Sequence, residues 1–394
     1  VVGLRSENFY LVYKDFKLGK VYFYSMNQRT INPKLMTSTD QGNRIFFLDL
    51  LKAVNISIVV FFHALFLPID TYFSVAIPEL ILSCPLRFCV PLLLIISFFL
   101  LERDLNKSKT ISPWIICKKR LVRIAIPTAF WFGLTAFLNL LKGNSLNKIA
   151  LEILTGNIFI GAYFLLILLQ LIPIFVLTRV WFQKTRNVLI IVGLQIAIFV
   201  AIKVWAHSNG IFGNAAVYML SQIDRPFIIY WFVYLPLGYF LYHHHESLLK
   251  LSSSIAFKYK IGAFFTISFL LLLEYAHLIP NIGSHFYTFE YALIACIGSA
   301  LIVFFCACSI QSNQISPILL PTIYLLSRYS LGIFCINGIL SQVFSIAGHS
   351  IFKGETFGLP EVIAFRLIGW IILLFISLGV AVQIDRFGFK ALVR

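Results

Sequence analysis

Ten apolar stretches of about 20 residues, separated by short polar segments, limit what this 394-residue chain can become. They fall near 45–67, 84–101, 121–141, 157–178, 187–206, 226–243, 260–279, 290–310, 329–346 and 362–384. About 20 apolar residues suffice for one helical crossing of a bilayer. No water is available there to backbone amides and carbonyls, so each run is expected to close its own hydrogen bonds as an α-helix. The expected fold is an all-α polytopic membrane protein, a bundle of about ten transmembrane helices. Composition agrees: 59% of residues are hydrophobic, 12% are charged, and mean hydropathy is +0.89, outside the range of soluble domains. Two runs carry interruptions, the second at Pro85, Arg87 and Pro91 and the ninth at Gly332, Asn337 and Gly338. Broken helices are tolerated where they line a cavity, so these two are expected to border the site.

The formal net charge of +16 invites a nucleic-acid reading until the charges are placed. With the N-terminus inside, the segments 1–44, 102–120, 179–187, 244–260, 310–328 and 385–394 hold 23 Lys and Arg, against 4 in the outer segments. That is the positive-inside bias, and it predicts both termini in the cytoplasm and no nucleic-acid partner. Residues 1–43 form a polar, basic tail expected to be poorly ordered, and 44–390 a single membrane domain. The tail has no apolar stretch of the kind a cleavable signal needs, so the first span is expected to act as an uncleaved insertion signal. The chain begins at Val1, with Met26 and Met36 as alternative starts. Seven cysteines sit mostly within apolar runs without zinc-ligand spacing and read as packing residues.

Inside the first span, Asp49, Lys52, Asn55, Ser57 and His63 interrupt an otherwise apolar sequence. Eleven helical steps separate Lys52 from His63, three turns plus about 20°, so the two share a face. Asp49 and Asn55 fall about 60° to either side. An ionisable group facing lipid costs at least about 2.5–3.5 kcal/mol, so this stripe must face protein or water. A neutral imidazole is a natural general base for a hydroxyl, because it titrates near neutral pH. The expected assignments are His63 as base, with Lys52 and Asp49 as an ion pair that orients the helix and tunes the cavity field. A second cluster, Lys118-Lys119-Arg120-Leu121-Val122-Arg123, opens the third span. Arg120 and Arg123, three apart, could clamp phosphates of a cytosolic donor.

With these residues in place, the chain resembles the membrane-bound acyltransferase 3 family, whose members O-acylate cell-surface sugars and related acceptors. The resemblance rests on Leu48-Asp49, Lys52 and, ten intervening residues later, His63; on Arg120-x-x-Arg123 ahead of Pro127; and on Arg87-Phe88-Cys89-Val90-Pro91 leading to Ser97. Tyr163-Phe164-Leu165, Leu237-Gly238-Tyr239 and Ser330-Leu331-Gly332-Ile333-Phe334 follow in the family's order. Phe98 stands where the family usually has Gly, Leu93-Leu94 replace an aromatic pair, and Asn337 stands where many members have His. An amide can orient a hydroxyl but cannot take its proton, which places the proton chemistry on His63. The resemblance implies an O-acyltransferase of the bacterial plasma (inner) membrane. Its donor would be cytosolic acyl-CoA, most simply acetyl-CoA, held at Arg120 and Arg123. Its acceptor would be a surface or lipid-linked glycan, with other glycan-assembly proteins as partners and no metal.

Asn55, Arg87, Ser97, Tyr163, Glu274 and Asn337 make up the expected substrate-binding set. Glu274 and His277 share a face in the seventh span and could line an acceptor entrance or pair at the interface. Asp224 and Arg225 read more simply as a loop salt bridge than as a sugar reader. Trp131, Tyr234 and Tyr239, like Tyr163, could stack on a sugar, but interfacial belts use the same residues. Successive side chains of His243-His244-His245 diverge by 100° on a helix and cannot all reach one ion. Two other readings fit the same spans: a lipid-linked sugar transporter, and an inactive relative serving polysaccharide assembly.

Overall fold

A computed structural model describes residues 45–107, 110–207, 228–282, 291 and 293–394. The basic tail, Asp224 and Arg225 lie outside the described residues, as does the side chain of His277. The described residues are helical without strands. In chain order the helices are α1 Phe46–Phe62, α2 Ala76–Ser83, α3 Cys89–Lys107, α4 Pro113–Leu141, α5 Leu146–Thr155, α6 Tyr163–Phe182 and α7 Thr185–His207, then α8 Tyr234–His243, α9 His245–Ser254, α10 Phe257–Ile282, α11 Ile294–Cys308, α12 Leu319–Arg328, α13 Ser330–Ile351 and α14 Leu359–Arg386. Every one of the ten apolar runs contains helix. Six helical segments, 73–107, 113–141, 163–182, 257–276, 330–351 and 359–386, are long and apolar enough to cross a membrane.

The solvent-free face of this bundle is turned inside out relative to a soluble protein. Phe137 on α4, Leu177 on α6, Leu189 on α7, Phe265 on α10 and Phe375 on α14 all project outward. An apolar exterior of this extent belongs in lipid, and the chain is an integral membrane protein. The centre is α1, with Leu48, Leu51, Ile56, Val59 and Val60 almost wholly buried. It packs against α3, α11, α12, α13 and α14.

Two interruptions behave differently. The Pro85 region winds into a short 3-10 turn, Cys84–Phe88, before α3 begins, so the second span is broken as expected. The ninth is continuous through Gly332, Asn337 and Gly338, contrary to expectation. Its glycines mark close approaches instead. A side chain at Gly338 would strike the Ile160 carbonyl and the Phe159 ring, and one at Gly348 would overlap the Phe66 carbonyl. The first span is also shorter than its apolar run: α1 ends at Phe62, and 64–66 run on irregularly against Gly348 and Gly369.

A buried acid in an apolar bundle must find partners, and Glu102 on α3 finds three. Its carboxylate, wholly buried, accepts two bonds from Arg179 at 2.8 and 3.1 Å and one from Asn106 at 2.6 Å, and it meets His243 Nε2 at 3.1 Å. This ties α3, α6 and α8 together at one end. His245 turns instead to the Tyr242 carbonyl, so the neighbouring histidines diverge as the helical spacing requires. Removing one member of such a network strands a buried charge. Arg179→Ala is therefore expected to cost about 3–5 kcal/mol, read as a lower melting temperature in detergent. The double variant Glu102→Leu/Arg179→Met should recover most of that loss.

Candidate active site

His63 sits where α1 stops. It is the C-terminal cap, with φ −91° and ψ 0°, and its N–H reaches the carbonyls of Val59 and Val60. Its own carbonyl accepts the Ser341 hydroxyl from α13 at 2.5 Å. The backbone of the residue is thus fixed from both sides before its ring does anything.

The ring is fixed by Asn337. Both Asn337 Nδ2 hydrogens are spent on carbonyls of its own helix, Ile333 at 2.7 Å and Phe334 at 2.8 Å. A flipped amide would push its oxygen against those two oxygens, so Oδ1 is the atom that faces His63 Nδ1, at 2.5 Å. An amide oxygen only accepts, so Nδ1 carries the hydrogen of this bond. Asn337 is wholly buried with each polar group engaged. It positions the imidazole, a role beyond its expected place in the substrate-binding set.

Beside Nε2 the wall is glycine. Gly161 adopts φ +87°, and a Cβ there would come within 3.1 Å of His63 Cε1 and 3.5 Å of Nε2. The left-handed backbone and the missing side chain together keep the ring's edge clear. The pocket in front of it is lined by Val59 and Phe62 of α1, Cys89 and Val90 of α3, and the aromatic rings of Tyr163, Phe164, Tyr291 and Phe334. Broken span two and continuous span nine both border this pocket, as the sequence led us to expect.

The other expected residues separate into three groups. Tyr163 lines the pocket, and Arg87 stands behind its wall, with its guanidinium 4.1 Å from the Phe62 ring centre and Nη1 3.4 Å from the Tyr291 hydroxyl. Ser97 is eight residues down α3 from Cys89, about 12 Å away. Its hydroxyl is turned back to the Leu93 carbonyl, and its carbonyl meets Arg120. Glu274 accepts the Ala295 N–H at 2.9 Å and so caps the start of α11.

At the opposite end of α1 lies a cationic cluster. Half-buried Lys52 is within Coulombic reach of Arg103, Arg120, Arg123 and Asp49. Arg120 Nη2 pairs with Asp104 at 2.9 Å, and Arg123 Nε donates to the Arg394 carbonyl at 3.5 Å. Asp49 accepts the Ser327 hydroxyl from α12 at 2.5 Å. Asp49 also lies within Coulombic reach of Lys52, its expected ion-pair partner. Between the two ends, Asn55 is wholly buried, and neither its Oδ1 nor its Nδ2 has a partner among the described residues. Leaving a buried amide unmade costs about 1–3 kcal/mol, so an unpaired Asn in a lipid-embedded core requires a reason.

Sequence reasoning missed Gly161, Ser341 and Ser327. Ser341 carried a usable signal, since it lies four residues after Asn337 and so on the same helical face. Gly161 and Ser327 carried none, because their roles arise across elements far apart in the chain.

A histidine held at one end of the central helix and a cationic cluster at the other make up the candidate site of this membrane-embedded bundle. A family model of the acyltransferase domain matches residues 45–386, and the chain belongs to the acyltransferase 3 family, the membrane acyltransferases. No curated protein and no solved structure matches the chain.

If Asn337 sets the tautomer, Asn337→Leu should lower the turnover of acyl transfer by about 100-fold, within the range general-base catalysis supplies, with little change in KM. Gly161→Ala should act on the same ring from the other side. Steady-state rates on purified protein check both, and an unchanged turnover in Asn337→Leu would mean that the tautomer is set elsewhere.

Proposed function

We propose that this protein moves an acyl group, most simply acetyl, from cytosolic acyl-CoA to a hydroxyl of a surface or lipid-linked glycan at a bacterial plasma membrane. Both termini then face the cytosol, which puts the Lys52 end of α1 on the donor side and His63 towards the acceptor. The observation that carries the reading is the held imidazole: a His63 ring at the edge of an aromatic pocket, with Nδ1–H donated to Asn337.

In the proposed reaction the acceptor hydroxyl gives its proton to His63 Nε2 as its oxygen attacks the thioester carbonyl. The C–S bond then breaks, and the leaving thiolate takes the proton back. The imidazolium formed in between lies at the C-terminal end of α1, whose dipole favours positive charge there. Asn337 Oδ1 keeps its bond to Nδ1–H throughout. Arg120, Arg123 and Lys52 would receive the donor's phosphates. The transporter reading gives no role to the held tautomer. The inactive-relative reading drew on the missing His at 337, and an Asn that orients His63 weakens that ground.

His63→Ala is expected to abolish ester-linked acyl groups on the surface glycan while the protein still accumulates in the membrane. Mass spectrometry of the glycan checks it, and full acylation would sink the assignment. Arg120→Gln and Arg123→Gln should each raise the KM for acetyl-CoA about tenfold, the worth of one charge-assisted bond. Neither should change the KM for S-acetylpantetheine, which lacks the phosphates.

A further inference from the structure

Asn55 is the one polar side chain of the central stripe left without a task. It differs from the other helical asparagines around it. Asn106 and Asn337 turn their amides back onto carbonyls of their own helices, whereas Asn55 does not, although it is wholly buried. Phe62 lies seven residues further along α1, within about 20° of the same direction. Val59 lies one turn on. Both line the His63 pocket, and Asn55 lies on the same side of α1, about one turn nearer Lys52 than Val59.

The helix also measures distance. Lys52 and His63 are eleven residues apart, about 16.5 Å along the axis, and Asn55 is about 12 Å from His63. In coenzyme A, thirteen bonds lead from the thioester sulfur to the nearest phosphorus. At about 1.2 Å per bond of an extended chain that is about 16 Å. The farther of the two amides, between β-alanine and pantoate, has its carbonyl carbon eight bonds from sulfur, about 10 Å. A donor with its thioester at His63 and its first phosphate beside Lys52 therefore passes this second amide at the level of Asn55. That amide offers one N–H and one C=O, and Asn55 offers Oδ1 and Nδ2 to match them.

We propose that Asn55 is a donor-specificity residue that hydrogen-bonds the second amide of the phosphopantetheine arm. The proposal rests on the acyl-CoA reading above and adds to it the part of the donor that is recognised. Such a site accepts phosphopantetheine thioesters and rejects simpler ones, because a donor without that amide leaves the buried Asn unpaired.

The test uses inverted membrane vesicles, which carry the acceptor and expose the cytosolic face, supplied with S-acetylpantetheine or with S-acetyl-N-acetylcysteamine, which retains only the nearer amide. Wild-type protein should favour the first by about 30-fold in kcat/KM, a discrimination that a paired buried polar group can supply. Asn55→Leu should bring the two donors within about threefold, through a higher KM for S-acetylpantetheine. An unchanged ratio, or a parallel fall with both donors as a packing defect would give, overturns the proposal. A second measurement needs no variant: an acetyl-CoA analogue with an ester in place of the second amide should be a clearly poorer donor for wild-type protein, and equal use overturns the assignment. Failure of wild-type protein to use acetyl-CoA at all is a separate result. It removes the donor reading, and the role of Asn55 with it.

Discussion

The bond from His63 Nδ1 to Asn337 Oδ1 joins α1 to α13, and most of what the site can do depends on it. It is made possible by two layers of support. Asn337 has its amide hydrogens anchored on its own helix, and Ser341, one turn further, holds the His63 carbonyl. Beneath these, glycines let α13 come close enough for such short side chains to reach. Gly338 lies against the 159–160 backbone, and Gly348 against the chain that leaves α1. Helix packing in a membrane has no hydrophobic drive of its own, and close approach at small residues is one of the few forces available. Here the same contacts that assemble the bundle also hold the imidazole in place.

How far the sequence foretold this depends on the range over which each feature is encoded. Apolar run length is local, and all ten runs contain helix. Helical spacing is local too, so Lys52 and His63 were legible as one face. The break before α3 could be read from Pro85 and Pro91, because proline acts on its own backbone. The glycines of α13 misled in the other direction. Nothing local distinguishes a Gly that breaks a helix from one that admits a neighbour 180 residues away. Asn337 was singled out as a departure from the family and assigned to substrate, when its partner lies 274 residues earlier in the chain. Glu102 passed unnoticed for the same reason, since an acid at the end of an apolar run reads as an interface residue until Arg179 and His243 are seen beside it.

Charge in this bundle is handled by pairing at the two ends and by near absence in between. Glu102 and Asp104 meet arginines at one end, and Glu79 meets Arg366 at 2.8 Å near the other. Lone ions in a low-dielectric interior cost several kcal/mol each, so these pairs are the condition for having charges there at all. Asn55 shows the complementary device. A neutral amide can stand unpaired in the middle of the core at a cost the fold can carry, whereas a Lys or Asp at that position could not.

The length of α1 then has an electrostatic meaning as well as a geometric one. A base that takes a proton becomes a cation, and a site that also gathers phosphates needs cations. At about 16.5 Å and an effective dielectric of about 20, each remote charge raises the energy of the imidazolium by about 1 kcal/mol, against about 3 kcal/mol at 5 Å. With Lys52, Arg120 and Arg123 all close to His63, proton transfer would face a barrier larger than a general base can repay. Arg87 is a cation near the pocket wall, and Glu79 lies within Coulombic reach of it and offsets part of its field. Eleven residues of helix therefore do two things: they span the reach of a long thin donor, and they let anion binding and proton abstraction proceed in one protein without opposing each other.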